Sequence, residues 1–364
     1  MIKLSAALGI ALLAAPARAD KLDASNKKAT TACLQPDRDL VFKRVPGCSG
    51  EVSRAGSKVN MTYNALGLRD KDYPREAPAG TARLLVVGGS LMTAPGLEET
   101  ATPPRALERA LRRRGLAVEI VNASGEGYTG WQNAVRLKEF LAAYAPKLVV
   151  YHLASHYIFT DRALKYDLRF RQGEVRGRLP ALPGVPDWAY WLLIRPRYAN
   201  FLIRMYKEQW GRIRASREIA AAPPDQGFEN LMGPTLDELA QMSGECRAAG
   251  ARLFVVYDGD AATADQYLLV GGPAWPGRLA QWLMIRSLRF EGESVDKRLR
   301  EDGARRGYEV LSIAAARPAL QDPANRLDGD YHWNARGAEI FAESAAAALA
   351  PALAAPVPPA APRP

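Results

Sequence analysis

Short apolar runs alternate with amphipathic segments between residues 81 and 350, and this alternation predicts the fold. Five runs have the length and composition of buried strands: residues 83–89, 117–122, 147–153, 251–258 and 308–314. Five segments have helical spacing of apolar positions: residues 103–115, 131–146, 235–250, 280–307 and 334–350. Strands that alternate with helices indicate a five-stranded parallel sheet covered on both faces.

The segments outside the strand–helix alternation are predicted to be a signal, an N-terminal extension, an insertion and a tail. Residues 1–19 have a lysine, a short apolar stretch and an Ala-x-Ala site, which predicts a cleaved secretory signal and a secreted or periplasmic protein. Residues 20–80 are polar and irregular and are interpreted as an N-terminal extension. The alternation breaks at about 160–233, which predicts a helical insertion after the third strand. The proline-rich tail, 351–364, is predicted to be disordered.

The cysteines bear on the compartment of the protein, and the charge bears on its possible partners. Cys33 and Cys48 lie close together and are candidates for a disulfide in an oxidising compartment, whereas Cys246 lies in a helical pattern and is predicted to be a buried thiol. The net charge is +10, and residues 161–218 carry 13 basic and 6 acidic side chains. Outside the cytoplasm such a basic region indicates a contact with anionic glycan, a contact with anionic lipid head groups, or simply solubility, rather than nucleic-acid binding.

The loop after the first predicted strand contains Gly88-Gly89-Ser90. It lacks the lysine of a nucleotide-binding P-loop and the glycine spacing of a dinucleotide loop, so a nucleotide-binding flavodoxin-like domain is poorly supported. A serine nucleophile fits better, because the glycines permit a tight turn beside free backbone N–H groups. A plain structural turn would also produce this sequence.

The loop before the last predicted helix supplies a base for such a serine. His332 is one of only three histidines, and Asp330 precedes it by two residues in "GDYHWNARG". Because this loop follows the fifth strand, we expect it at the same sheet edge as Ser90. Asp330 would orient the imidazole, and Asn334 is a candidate N-cap of the last helix.

These blocks together resemble the SGNH, or GDSL-type, serine hydrolases. The blocks are "VVGGS" for the nucleophile Ser90, "NASGEGYTG" for an oxyanion donor at Gly127, "VVYHLASHYIFTD" in the third position, and "GDYHWNARG" for Asp330 and His332. The upstream "NALGLRD" resembles sequence that precedes the nucleophile block in bacterial members. The resemblance implies a flavodoxin-like three-layer α/β/α sandwich with esterase, lipase, deacetylase or acyltransferase chemistry, no cofactor and no metal.

Two positions depart from the family pattern. Gly89 stands where the family has an aspartate that supports the nucleophile loop, and the oxyanion-binding asparagine of the third block is replaced, with His156 nearest in position. His156 is either a substitute donor or an ordinary loop histidine. His152 and His156 have the spacing of metal ligands on a helix, but His152 lies in a predicted strand, which argues against a metal site.

The hypotheses from the sequence are therefore ranked. The first is an extracytoplasmic hydrolase of carboxylic esters on a small molecule, lipid or glycan, with an O-acyltransferase using the same triad as its variant. The second is a catalytically degenerate domain that binds envelope glycan or a partner protein. The aromatic and arginine-rich residues 186–217 predict either an extra helical layer on the sheet or a peripheral contact with membrane or anionic glycan.

Overall fold

The computed structural model describes residues 33–37, 40–154, 157–158, 170–171, 174–175, 224–259 and 292–354. The predicted signal, His156, the tail from residue 355 and almost all of the predicted insertion lie outside these residues. In the described part of the chain, no helix has both the length and the apolar content needed to cross a membrane.

The N-terminal extension folds into two antiparallel hairpins. The first pairs β1 (Leu34–Asp37) with β2 (Val41–Arg44), and the second pairs β3 (Ser49–Arg54) with β4 (Ser57–Thr62). A disulfide between Cys33 and Cys48 joins the start of one hairpin to the other, which confirms the predicted candidate pair. The disulfide packs in a small apolar cluster with residues of both β3 and β4.

We expect the disulfide to stabilise the fold measurably, because it closes a loop with a sequence separation of 15 residues. Loops of that length give about 3 kcal/mol. The variant Cys33→Ala/Cys48→Ala should lose about that much unfolding free energy in a urea titration. Reductant should bring the wild type to the variant's value and leave the variant unchanged. A loss below about 1 kcal/mol would contradict the expectation.

The main domain is built on a parallel sheet that confirms the predicted fold class. Its strands are β5 (Ala82–Val87), β6 (Val118–Asn122), β7 (Leu148–Leu153), β10 (Arg252–Tyr257) and β11 (Glu309–Ser312). Their order across the sheet is β11-β10-β7-β5-β6, and every pairing is parallel. In chain order this is 2-1-3-4-5, the order of flavodoxin-like sheets. A separate two-stranded pair, β8 (Phe170–Arg171) and β9 (Glu174–Val175), follows β7.

Helices flank the sheet and alternate with its strands. They are α1 (Ser90–Thr93), α2 (Pro103–Arg113), α3 (Gly130–Tyr144), α4 (Pro224–Ala248), α5 (Gly292–Arg306), α6 (Arg317–Gln321) and α7 (Ala335–Ala354). Helix α2 packs on α7, and α3 packs on α4. The inner strands are almost fully buried, as the near-zero exposure of residues 84–87 illustrates, whereas the edge strand β11 is partly exposed. Cys246, on α4, is buried as predicted, and its burial raises the thiol pKa to about 12.

Two helix ends differ from the sequence prediction. Helix α4 begins at Pro224, inside the segment interpreted as insertion. Helix α7 runs through Pro351 to Ala354, four residues into the segment predicted to be disordered. Pro351 removes one helical donor, but Leu353 packs partly on the core and Arg252 donates a hydrogen bond to the Ala352 carbonyl oxygen at 3.3 Å. These tertiary contacts outweigh the local cost of the proline.

Candidate active site

Ser90 lies at the carboxyl end of β5, a central strand of the sheet, and is the first residue of α1. The Gly89 carbonyl oxygen accepts hydrogen bonds from the amides of Met92 and Thr93, both at 3.1 Å. The chain therefore turns directly from strand into helix at Ser90. This is the edge at which open parallel sheets bind ligands.

The surroundings of Gly89 explain why no side chain stands there. A Cβ atom built on Gly89 would lie 1.5 Å from the Tyr157 hydroxyl oxygen and 2.7 Å from its ring carbon Cζ. Tyr157 is itself buried and belongs to the third sequence block. The tyrosine hydroxyl thus occupies the space beside the nucleophile loop, and an aspartate at residue 89 would have no room.

Asp330 and His332 form a close pair. Asp330 Oδ1 lies 2.6 Å from His332 Nδ1 and also accepts a hydrogen bond from the His332 amide at 3.0 Å. The second oxygen, Oδ2, pairs with the guanidinium of Arg54. The pair was predicted from the Asp-x-His spacing, whereas the arginine was not. Asn334 caps α7 as predicted, because its Oδ1 accepts the Gly337 amide at 3.1 Å.

Burial and neighbouring charges set the protonation of this pair. Burial lowers the pKa of the His332 imidazole; the Asp330 carboxylate offsets part of this effect, and the charge of Arg54 adds to it. Burial alone would raise the pKa of Asp330, but hydrogen bonds from His332 and Arg54 hold it well below its usual range. At neutral pH the site therefore contains a carboxylate and a neutral imidazole.

The second ring nitrogen of His332, Nε2, is available to accept a proton. His332 is 1% exposed, and in the described part of the chain its Nε2 has no hydrogen-bond partner. Such an atom is costly to leave unpaired in a folded protein, and a catalytic role is one explanation for it. A neutral imidazole held through Nδ1 by a carboxylate presents Nε2 as a proton acceptor.

Tyr331 brings the two loops together at Ser90. Its hydroxyl lies 3.4 Å from Ser90 Oγ, and its ring stands over His332 with a centroid distance of 4.0 Å. Ser90, Tyr331 and His332 therefore share one edge of the sheet, as the sequence predicted for Ser90 and His332. The direct Ser90–His332 hydrogen bond is not formed, and such contacts are often long before a substrate binds.

The predicted oxyanion donors are only partly described. Gly127 has a φ of +76°, and its loop is tied to the nucleophile loop by a hydrogen bond from the Gly125 amide to the Gly88 carbonyl oxygen at 3.0 Å. This places the glycine block beside Ser90. The donor role of Gly127 stays a prediction, and so does that of His156, which lies outside the described residues.

His152 forms a buried pair with a carboxylate. It is fully buried in β7, and its Nε2 lies 3.1 Å from Asp258 Oδ2 at the end of β10. Its ring packs edge-on against Trp333 and Phe341, each at 5.7 Å. Within the described ranges no group of three potential metal ligands occurs.

Sequence reasoning missed a second arginine that supports the site. Arg69 is buried and donates hydrogen bonds to the carbonyl oxygens of Thr93, Ala94 and Leu97, at and just beyond the end of α1. It belongs to "NALGLRD", so the resemblance pointed to its block but not to its role. Arg69 fixes the segment that follows Ser90.

Comparison with known proteins gives matches only among solved structures. No family model matches this chain, and no curated protein matches it. TesA is 16% identical, with 74% of this chain and 98% of that chain aligned and a TM-score of 0.40. The esterase EstA from Pseudoalteromonas sp. is 12% identical, with 74% of this chain and 98% of that chain aligned and a TM-score of 0.38.

A third match is Axe2, an acetylxylan esterase from Geobacillus stearothermophilus. It is 13% identical over 74% of this chain and 94% of that chain, with a TM-score of 0.38. Likeness at these identities and TM-scores does not assign an activity. The functional conclusion therefore depends on this chain's own residues.

Proposed function

We propose that this protein is an extracytoplasmic serine hydrolase of carboxylic esters. One observation carries the proposal: His332 is buried, is held by Asp330 at 2.6 Å, and keeps an unpaired Nε2 at the sheet edge that carries Ser90. Within the described residues His152 also leaves one ring nitrogen without a hydrogen-bond partner, so what distinguishes His332 is its position beside Tyr331 and Ser90. A general base needs one nitrogen anchored and the other available.

The residues support a two-step acyl transfer through Ser90. Ser90 Oγ attacks the ester carbonyl carbon, and its proton passes to His332 Nε2. The N–H groups of Ser90 and Gly127 hold the oxyanion of the tetrahedral intermediate. The alcohol leaves with the proton from His332, which creates an acyl-enzyme. Water, deprotonated by His332, then attacks the acyl carbon and releases the acid and Ser90.

The disulfide supports the proposed location outside the cytoplasm. The disulfide between Cys33 and Cys48 supports an oxidising compartment, consistent with the predicted signal at residues 1–19. An ester-bearing small molecule, lipid or glycan is the proposed substrate class. An O-acyltransferase would use the same acyl-enzyme, with a sugar hydroxyl in place of water.

A second candidate is a binding domain that has lost catalysis. The contact of Ser90 Oγ with the Tyr331 hydroxyl, rather than with His332, favours this candidate. At 3.4 Å this contact is long for a hydrogen bond between two hydroxyls, so it would hold Ser90 only weakly against a substrate.

The test is hydrolysis of p-nitrophenyl acetate by the wild type and by Ser90→Ala. We expect turnover by the wild type and loss of that turnover in the variant. Added alcohols or oligosaccharides that divert the acetyl group from water would identify a transferase. If wild type and variant are equally inactive, and neither reacts with a fluorophosphonate, the hydrolase proposal is wrong and the binding candidate replaces it.

A further inference from the structure

We infer that Arg54, at the tip of the second N-terminal hairpin, is a positioning residue that holds the Asp330–His332 pair in its working geometry. The hairpin is then part of the active site rather than an appendage to it. This inference rests on the proposed function, in which Asp330 and His332 activate Ser90.

The two oxygens of Asp330 have separate partners. Oδ1 binds the ring and the amide of His332, whereas Oδ2 binds Arg54 Nε. A carboxylate held at both oxygens cannot rotate about its last bond, so the direction of its bond to His332 is fixed. The side chains of Arg54 and Asp330 are 25% and 15% exposed, which leaves this ion pair only partly screened by water.

The hairpin tip is anchored between the two loops that carry the site. Ala55, next to Arg54, packs on the apolar cluster of Ala94, Leu97, Leu327 and Ala338. Gly96 also lies against the hairpin tip, since a Cβ built on it would lie 2.9 Å from Leu327 Cδ1 and 3.3 Å from Arg54 Cβ. Arg54 is therefore wedged between the segment after Ser90 and the loop before Asp330. A solvated surface arginine would have no such packing.

The base of the hairpin is also packed in an apolar cluster. The buried side chains Val52, Val59 and Met61 pack around the Cys33–Cys48 disulfide. Because both ends of the hairpin are fixed, Arg54 is presented to Asp330 on a rigid element. Rigid support of this kind is what a positioning role requires.

Five groups lie around His332, and Arg54 is the cation among them. Asp330 and Tyr331 come from its own loop, and Ser90 comes from the start of α1. Glu126 of the glycine block also acts on His332, but it is neutralised by Arg44 at 2.5 Å. Arg54 opposes protonation of His332 directly and also neutralises the carboxylate that favours it.

The test compares Arg54→Gln with Arg54→Lys in the full chain. In Arg54→Gln we expect the His332 pKa to rise, so the fall of kcat/KM on the acidic side moves to higher pH. We also expect kcat to drop roughly 10- to 100-fold with little change in KM, the range for outer partners that orient a functional imidazole at metal sites. Arg54→Lys keeps the charge, so its pH profile should stay near that of the wild type.

The readout that does not depend on activity is the titration of the His332 ring protons by NMR, assigned through their loss in His332→Asn. The control is Arg109→Gln, which removes an exposed ion pair with Glu339 between α2 and α7. If His332 titrates in folded Arg54→Gln as it does in the wild type, the inference is overturned, whether or not the protein hydrolyses esters. If the His332 pKa rises in Arg54→Gln but the wild type cleaves no ester, the proposed function fails, and only the effect of Arg54 on the Asp330–His332 pair stands.

Discussion

Replacing Asp330 by asparagine is expected to lower kcat about 10⁴-fold, the loss seen when the same change is made in serine-protease triads. An asparagine can accept from His332 Nδ1 or donate to it, but it supplies no charge. His332 is almost fully buried, so burial disfavours the imidazolium that forms when Ser90 is deprotonated. Asp330 is the nearest group that compensates for this cost.

The matched control is Asp328→Asn, in the same loop but exposed to solvent. It should retain activity within about twofold, as surface substitutions usually perturb little. Esterase assays at saturating substrate, with thermal unfolding of both variants, would separate catalysis from folding. A loss of less than tenfold in folded Asp330→Asn would mean that the carboxylate does not support the base.

Replacing Gly89 by alanine is the second change with a large expected effect. The new Cβ would overlap the Tyr157 hydroxyl, which lies 1.5 Å from its position, and would crowd the Tyr128 carbonyl oxygen at 3.1 Å. Overpacking of this kind costs about 1–3 kcal/mol of stability. Because the displaced segment carries Ser90, we also expect at least a 10²-fold fall in kcat, the penalty for a misplacement of about 1 Å.

The Tyr157 side chain can be shortened to test whether it causes the clash. In Gly89→Ala/Tyr157→Ala the overlap disappears, and part of the stability and activity should return relative to Gly89→Ala. Tyr157→Phe should not rescue, since ring carbon Cζ would still lie 2.7 Å from the new Cβ. The control Gly244→Ala lies on α4 with open space around its Cβ and should be neutral or stabilising. Full activity of Gly89→Ala would contradict this account of the nucleophile loop.

The sheet and half of the site were predictable because their signals are local. Strands β5, β7 and β10 contain continuous apolar runs, and the Asp-x-His spacing places both side chains in one loop. Asn334 could be assigned as a cap from its position before an apolar periodic segment. Such features depend on neighbours within a few residues, which is the range that sequence patterns report.

The rest of the site depends on contacts between distant segments. Arg54 and Asp330 are 276 residues apart, and nothing local to the hairpin indicates that its arginine meets a carboxylate. Tyr157 explains Gly89 only when the third block is packed against the nucleophile loop. The hairpins were interpreted as an irregular extension because their short strands are polar on one side and carry little apolar signal.

The most direct test of the central claim is to find which residue a fluorophosphonate modifies. Mass spectrometry of the digested wild type should locate a single phosphonyl adduct on Ser90, and labelling should become much slower in His332→Asn, because the base that activates the serine is gone. An adduct on another residue, or equal labelling of Ser90 in the wild type and in His332→Asn, would contradict the account of Ser90 as a nucleophile activated by His332.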